Sequence, residues 1–199
     1  MVERRTISRI EPDTMALRAL AHPVRMRMLG LLRMEGPATA TGLAERLGLN
    51  SGATSYHLRQ LSRHGFIEED ETRGNARDRW WRAKHESTFV TTKGADEDAL
   101  DAVTAFAQAA LTWQVSQMQR ALERHAQLSP EWREASTASD YVIPMTAAEA
   151  KALTDKLMAV LWEAKEAAPP AASDCPEGVE RVTFVLHSFP TPPDEGDAS

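Results

Sequence analysis

Cysteine occurs once in this sequence, at Cys175, so no internal disulfide staples the fold and the cytoplasm is the expected compartment. No apolar run approaches the roughly 20 residues of a membrane helix. The first residues, Met1-Val2-Glu3-Arg4-Arg5, lack the apolar stretch of a signal peptide. There is no Gly-rich phosphate loop and no Gly-flanked serine. Cys175 sits in an Ala/Pro-rich stretch without a basic neighbour, a poor setting for a thiolate nucleophile. The chain therefore reads as a non-enzyme. The 6 histidines are scattered, which argues against a metal site, and no cofactor is expected.

What is present begins with an uneven charge. Residues 1–93 carry 16 Lys and Arg against 11 Asp and Glu, a balance of +5, whereas residues 94–199 carry 7 against 18, a balance of −11. An overall charge of −6 thus hides a basic first half suited to a polyanion. Within that half, Asn50 is a good N-cap for a helix running through Ser51-Gly52-Ala53-Thr54-Ser55-Tyr56-His57-Leu58-Arg59-Gln60-Leu61. Ala53, His57 or Leu58, and Leu61 recur at helical spacing and predict a narrow buried stripe. The other side offers Ser51, Gly52, Thr54, Ser55, Tyr56 and Arg59, with no carboxylate among them. An ordinary surface helix would carry mixed charges there. Upstream, Thr39 to Leu47 is a short capped helix ending at Gly48. Two short helices joined by a tight turn predict a helix-turn-helix, whose second helix is shaped for a DNA major groove.

After it come Phe66-Ile67-Glu68-Glu69-Asp70 and Asp78-Arg79-Trp80-Trp81-Arg82-Ala83, two strand-like runs around a Gly74-Asn75 turn. Such a hairpin behind a recognition helix is a wing. Arg73, Arg77 and Arg79 at its tip and descending strand suit phosphate or minor-groove contact. Leu20-Ala21-His22-Pro23-Val24-Arg25, then Thr54 to Leu61, then Gly65-Phe66-Ile67-Glu68-Glu69 and Arg79-Trp80-Trp81-Arg82, resemble in order the ArsR-type winged-helix regulators. The resemblance covers roughly residues 12 to 85. It implies a homodimeric transcription factor, usually a repressor released by a signal. Relatives that sense metal through a cysteine pair would place it at Thr39 and Thr41, which are not thiolates. Relatives with sites on the long helix need several ligands, where this chain offers Glu123 and His125.

The expected fold is mainly α with small β: an N-terminal winged helix-turn-helix, a long dimerisation helix and a small α/β C-terminal region. Residues 1–11 read as a flexible arm, with Arg4, Arg5 and Arg9 free to touch phosphates. Residues 12–93 are the DNA-binding domain, beginning with a helix capped by Asp13 and a second helix started by His22-Pro23. Residues 94–187 are the dimerisation and candidate effector-binding region, and residues 188–199 an acidic, disordered tail. Proline and glycine are absent from Asp96 to about Leu128, where Leu100, Val103, Phe106, Ala107, Ala110, Leu111, Met118, Ala121 and Leu122 keep helical spacing. A second copy is the simplest cover for so long a helix. Further on, a capping box at Thr146–Glu149 opens a helix with Leu153, Leu157, Val160 and Leu161 on its inner stripe. Glu180 to His187 alternates like a strand, with Tyr141-Val142-Ile143 as its expected partner.

Phe106, Trp113, Trp132 and Trp162 are candidate linings of a pocket for a small apolar ligand, with plain core packing as the competing role. The resulting expectation is a sequence-specific regulator binding double-stranded DNA as a homodimer, a repressor controlled by a small organic ligand. The alternatives are a metal-responsive repressor and a winged helix that binds another protein. DNA contact falls to Ser51, Gly52, Thr54, Ser55, Tyr56, His57, Arg59, Arg73, Arg77 and Arg79.

Overall fold

The computed structural model describes residues 4–73 and 79–192. The first strand, β1 (Arg9–Ile10), precedes two helices, α1 (Thr14–Leu20) and α2 (Pro23–Glu35). Asp13 caps α1 by accepting from the Ala16 N–H, and His22 caps α2 by accepting from the Val24 N–H, with Pro23 in the first turn. A short strand, β2 (Ala38–Thr39), leads into α3 (Ala40–Leu47) and then α4 (Ser51–Arg63). Thr39 and Asn50 supply the N-caps, each accepting a backbone N–H three residues on. Such caps are each worth about 1 kcal/mol. Between the helices Gly48 sits at φ 65°, the left-handed conformation that lets α3 stop and the chain turn at once.

Two strands follow, β3 (Ile67–Glu69) and β4 (Trp80–Ala83), paired antiparallel with Glu69 opposite Trp81. β2 joins the other edge of β4, so the sheet order is β2-β4-β3 and the wing is anchored to the entrance of α3. The expected Gly74-Asn75 turn and Arg77 lie outside the described residues. A last strand, β5 (Ser87–Thr88), pairs in parallel with β1. Phe66, Leu20, Met28, Leu29, Leu32, Leu43, Leu58, Leu61 and Ile67 form the core, each at most 2% exposed.

The N-terminal segment departs from the expected flexible arm. Ile7 is buried, β1 is paired, and the Arg5 guanidinium holds both oxygens of Glu86 at 2.7 Å. Arg4 pairs with Glu163, and Arg9 lies 3.7 Å from Glu11 and over the Phe89 ring. These cations already have partners within the chain, so the idea of free phosphate-seeking arginines is corrected.

The second half contains α5 (Glu97–Arg124), a 3-10 turn at His125–Gln127, α6 (Pro130–Glu134) and α7 (Ala147–Ala167). α5 packs against α1 and α2 through Ala102, Phe106, Ala109 and Trp113, so the long helix grows directly out of the core of the helix-turn-helix. The capping box at Thr146 and Glu149 forms as expected. The expected inner stripe of α7 is not buried: Leu153, Leu157 and Val160 are exposed, because no element among the described residues lies across that face. Nor do Tyr141–Ile143 and Glu180–His187 pair as strands. Both runs lack regular secondary structure and are largely exposed, and the small C-terminal sheet expected from their alternation does not form. β-branched alternation favours a strand only when a neighbouring edge is there to receive it. Among the described residues no helix is long and apolar enough to cross a membrane.

Candidate nucleic-acid interface

α4 presents a face fixed by what its other face buries. Thr54, Leu58 and Leu61 point inward, each fully buried. The Thr54 hydroxyl donates to the Asn50 carbonyl at 3.0 Å, which satisfies it without leaving the helix. Placing Thr54 on the DNA-facing side is therefore corrected: the inward stripe runs through positions 54, 58 and 61, one residue round the helix from the expected start at Ala53.

The outward face then consists of Ser51, Gly52, Tyr56, Arg59 and Arg63, all exposed, with Ser55 half-buried at its margin. Gly52, Tyr56, Arg59 and Arg63 follow one another at helical spacing, so two guanidiniums stand one turn apart on one ridge. Neither arginine makes an ion pair among the described residues. No carboxylate occurs anywhere on α4. Arg63 was missed in reading the sequence, although its spacing of four from Arg59 was the available signal.

His57 turns partly inward. Its ring centroid lies 4.7 Å from that of His22 and its Nδ1 is buried without a partner. Burial lowers its pKa, and the charges on His22 and Arg25 add to the effect. His57 is thus a half-buried packing group midway along α4 and its outward reach is small, a correction to its place among the DNA-facing residues. Arg25 stands beside Tyr56, with its Nε donating to the Ala19 carbonyl. It puts a further cation at the margin of the face, one that the sequence reading also passed over.

In the wing, Arg73 and Arg79 are both exposed but share their charge with carboxylates. Arg73 lies 3.8 Å from Asp70 and Arg79 lies 3.2 Å from Glu69. Trp81 is buried in β4 while Trp80 is half-buried, so the tryptophans serve hairpin packing. Asp70, itself buried, accepts from the Thr72 hydroxyl at 2.6 Å and from the Thr72 N–H. Those hydrogen bonds hold its carboxyl below the usual carboxylate range and fix the way out of β3.

Residues 20–70 match the family model described as "Helix-turn-helix domain". The chain carries a helix-turn-helix domain, followed in the structure by a wing of paired strands. Solved structures to which it is similar include a homodimeric winged helix-turn-helix DNA-binding domain from Mycobacterium bovis, a possible ArsR-family transcriptional regulator. That pair is 22% identical, spans 50% of this chain and 76% of the other, and has a TM-score of 0.34. Reduced HlyU from Vibrio cholerae is 20% identical over 51% of this chain and 84% of its own, with a TM-score of 0.31. A variant of ZitR from Lactococcus lactis in apo form is 17% identical over 73% and 83%, with a TM-score of 0.32. No curated protein matches the chain.

Of the other candidates, Phe106 and Trp113 pack against the core of the winged helix. Trp113 also borders a cleft of about 250 Å³ between α2, α3 and α5. Trp132 and Trp162 do not line that cleft; Trp132 is in α6, and Trp162 lies under the Lys165 ammonium, 5.5 Å from its ring centroid. The four aromatic residues are therefore not brought to one pocket. Among the described residues no group of three or more His, Cys, Asp and Glu is placed to hold a metal.

Proposed function

We propose that this protein is a homodimeric, sequence-specific transcriptional regulator that reads DNA with α4 and steadies the duplex with its wing. The observation that carries the reading is the outward face of α4. Ser51, Gly52, Tyr56, Arg59 and Arg63 stand exposed on a rigidly packed helix, with two unpaired arginines and no carboxylate. Arginine gives bidentate contacts to guanine and to phosphate, and serine and tyrosine hydroxyls suit either. Arg73 and Arg79 supply electrostatic attraction, softened by Asp70 and Glu69, so they serve position more than sequence.

Dimerisation is proposed along α5. Its core side is taken by Ala102, Phe106, Ala109 and Trp113, whereas Leu100, Leu111, Val115, Met118 and Leu122 run along the opposite side and are exposed. A helix of 28 residues is roughly 42 Å long, and its free apolar stripe suits a second copy packed about a two-fold axis. Repression as the default state follows the motif resemblance, and control by a small organic ligand is proposed because the expected metal-ligating residues are missing from Thr39, Thr41 and the long helix and the chain continues well beyond α5. A winged helix used only to bind another protein is less well supported, because the outward face of α4 is polar.

The experiment is a mobility-shift selection of genomic fragments by the full chain, followed by light scattering of the protein alone. Retention of a discrete fragment with Kd below about 10⁻⁷ M, against non-specific binding near 10⁻⁴–10⁻⁶ M, supports the reading. Equal affinity for all fragments, or none, overturns it. A monomer at the same concentration overturns the α5 dimer.

A further inference from the structure

The cleft between α2, α3 and α5 is strongly cationic for its size. Arg27 of α2, Arg46 of α3 and Arg120 of α5 all line it, with Glu35 the carboxylate among its lining residues. Glu35 is already committed to Arg46. Arg27 makes no ion pair or hydrogen bond among the described residues, and Arg120 donates to the neutral amide of Gln117. Arg27 and Arg120 thus both border the cavity without an ion pair among the described residues. The third wall is flat and aromatic: the Trp113 ring, over which Arg120 sits at 5.3 Å, with Leu31 and Met34 beside it.

The fold makes room for this wall. Gly30 lies in the middle of α2, where glycine costs about 1 kcal/mol relative to alanine. A Cβ there would stand 3.1 Å from Trp113 Cζ2, so the missing methyl is what seats the ring against α2. The cleft also stays open in a dimer. Trp113, Gln117 and Arg120 follow one side of α5, and the free apolar stripe through Leu111, Val115, Met118 and Leu122 follows the other.

We propose that this cleft binds a small organic anion, a carboxylate or phosphate monoester on a flat apolar body, with Arg27 and Arg120 pairing its oxygens and Leu31, Met34 and the rim of the Trp113 ring against its body. Guanidinium forks match carboxylate and phosphate oxygens in two parallel hydrogen bonds, and Leu31, Met34 and the indole rim add apolar contact that a bare inorganic ion does not use. A volume of about 250 Å³ lies just below the range typical of drug-sized ligands, which limits the body to about a single ring. The site joins α3, the first helix of the helix-turn-helix, to α5, from which the partner copy is held. A bound anion there stiffens the angle between recognition helix and dimer seam. The inference rests on the regulatory reading above and specifies the chemistry of its ligand, replacing a purely apolar one.

The test uses the full-length protein with benzoate, phenyl phosphate, benzamide and inorganic phosphate as probes. Binding is read by calorimetry, and DNA affinity separately by mobility shift. Saturable binding of benzoate or phenyl phosphate is expected, with benzamide and inorganic phosphate each weaker by at least about tenfold, a charged hydrogen bond being worth that much. Arg27→Gln and Arg120→Gln should each weaken the anion by about tenfold or more, by the same reckoning. Both residues are far from α4 in the chain, and each variant is checked for an unchanged melting temperature without probe. Should one of them unfold, Arg27→Lys or Arg120→Lys at the same position serves in its place: it keeps the charge, loses the two-pronged contact, and should weaken the anion in the calorimeter. Equal affinity for benzamide, or equal affinity of the arginine variants, overturns the proposal. So does failure of both anions to bind a protein that still binds its DNA, an outcome that leaves the regulatory reading standing. Anion binding by a protein that binds no DNA supports the site and overturns the regulatory reading instead.

Discussion

The imidazoles of His22 and His57 lie against one another with ring centroids 4.7 Å apart and planes tilted by 43°. The contact joins the N-cap of α2 to the middle of α4. His22 Nδ1 accepts from the Val24 N–H at 3.1 Å, which requires that nitrogen to be unprotonated. Burial is the leading cause that lowers both pKa values below 6.5, and the nearby Arg25 charge lowers both further.

A basic group whose folded pKa is depressed binds fewer protons folded than unfolded, so stability rises with pH across its titration. The stabilisation is fully present above about 6.5 and is lost as pH falls through that value toward the lower folded pKa. Melting temperatures at pH 7.5 and 5.5 should therefore fall on acidification. His85, also lowered by burial, contributes to the same drop. A His22→Asn/His57→Leu variant keeps a capping acceptor and an apolar contact, and should show a smaller drop than the parent. An identical drop in both proteins would mean that the pair is not titrating in this window.

Thr54 provides a test of which way α4 faces. Its side chain is fully buried and its hydroxyl stays within the helix, bonded to the Asn50 carbonyl. Thr54→Val retains the shape and removes only that local bond, so stability should change by about 1 kcal/mol. DNA affinity at fixed salt should stay within a factor of two or so of the parent, because the group lies on the side of α4 away from any groove. A tenfold loss of affinity with unchanged stability would restore Thr54 to the reading face.

Arg63 tests the far end of the same face. It is exposed and unpaired one turn beyond Arg59, and a phosphate is the natural partner at that distance from the helix start. Arg63→Gln should lower affinity on all DNA sequences alike and reduce the salt slope of log affinity by roughly 0.9, the share of one phosphate contact. Arg59→Ala should instead cost about 1–3 kcal/mol and relax discrimination at one position. An unchanged slope for Arg63→Gln would place that end of α4 off the duplex.

The first half of the fold was legible because its signals are local. Asp13, His22-Pro23, Thr39, Asn50 and Gly48 each announce a helix boundary by chemistry confined to a single turn, and each does that job in the structure. Thr54 was misplaced because threonine is an ambivalent letter, able to satisfy its hydroxyl on the preceding turn and then pack like valine. The third strand of the wing sheet, Ala38–Thr39, is only two residues long and is set by a partner more than 40 residues away, so no periodicity marks it. The docked N-terminal segment is held by Glu86 and β5, which is equally long-range information. Alternation in Val182 to Leu186 was real but insufficient, since a strand needs an edge and none is offered. The cationic cleft joins Arg27, Arg46 and Arg120 from three helices, and composition alone gives no hint that they meet.

Arg33 is the clearest case of a residue whose work only the structure displays. It sits on α2 with Nε donating to the His85 carbonyl at 2.9 Å and Nη2 donating to Thr88 Oγ1 at 2.9 Å. No carboxylate pairs with it among the described residues, and burial pushes its pKa down to about 10, so it remains cationic at neutral pH. The guanidinium thereby ties the core of the helix-turn-helix to β5, and through β5 to β1. Arg33→Ala removes both hydrogen bonds and should cost about 1.5–3 kcal/mol in urea denaturation at pH 7. Arg33→Met keeps much of the buried stem and leaves no desolvated charge, so it should cost less than Arg33→Ala. Hydrogen exchange separates a local tie from a general loss of core. The Phe89 amide, which donates to the Ile10 carbonyl at 2.9 Å, should lose protection in both variants before amides of α2 do. Uniform loss across α2 and β5 would show that Arg33 supports the core as a whole, and unchanged protection at Phe89 would show that β1 and β5 hold together without it.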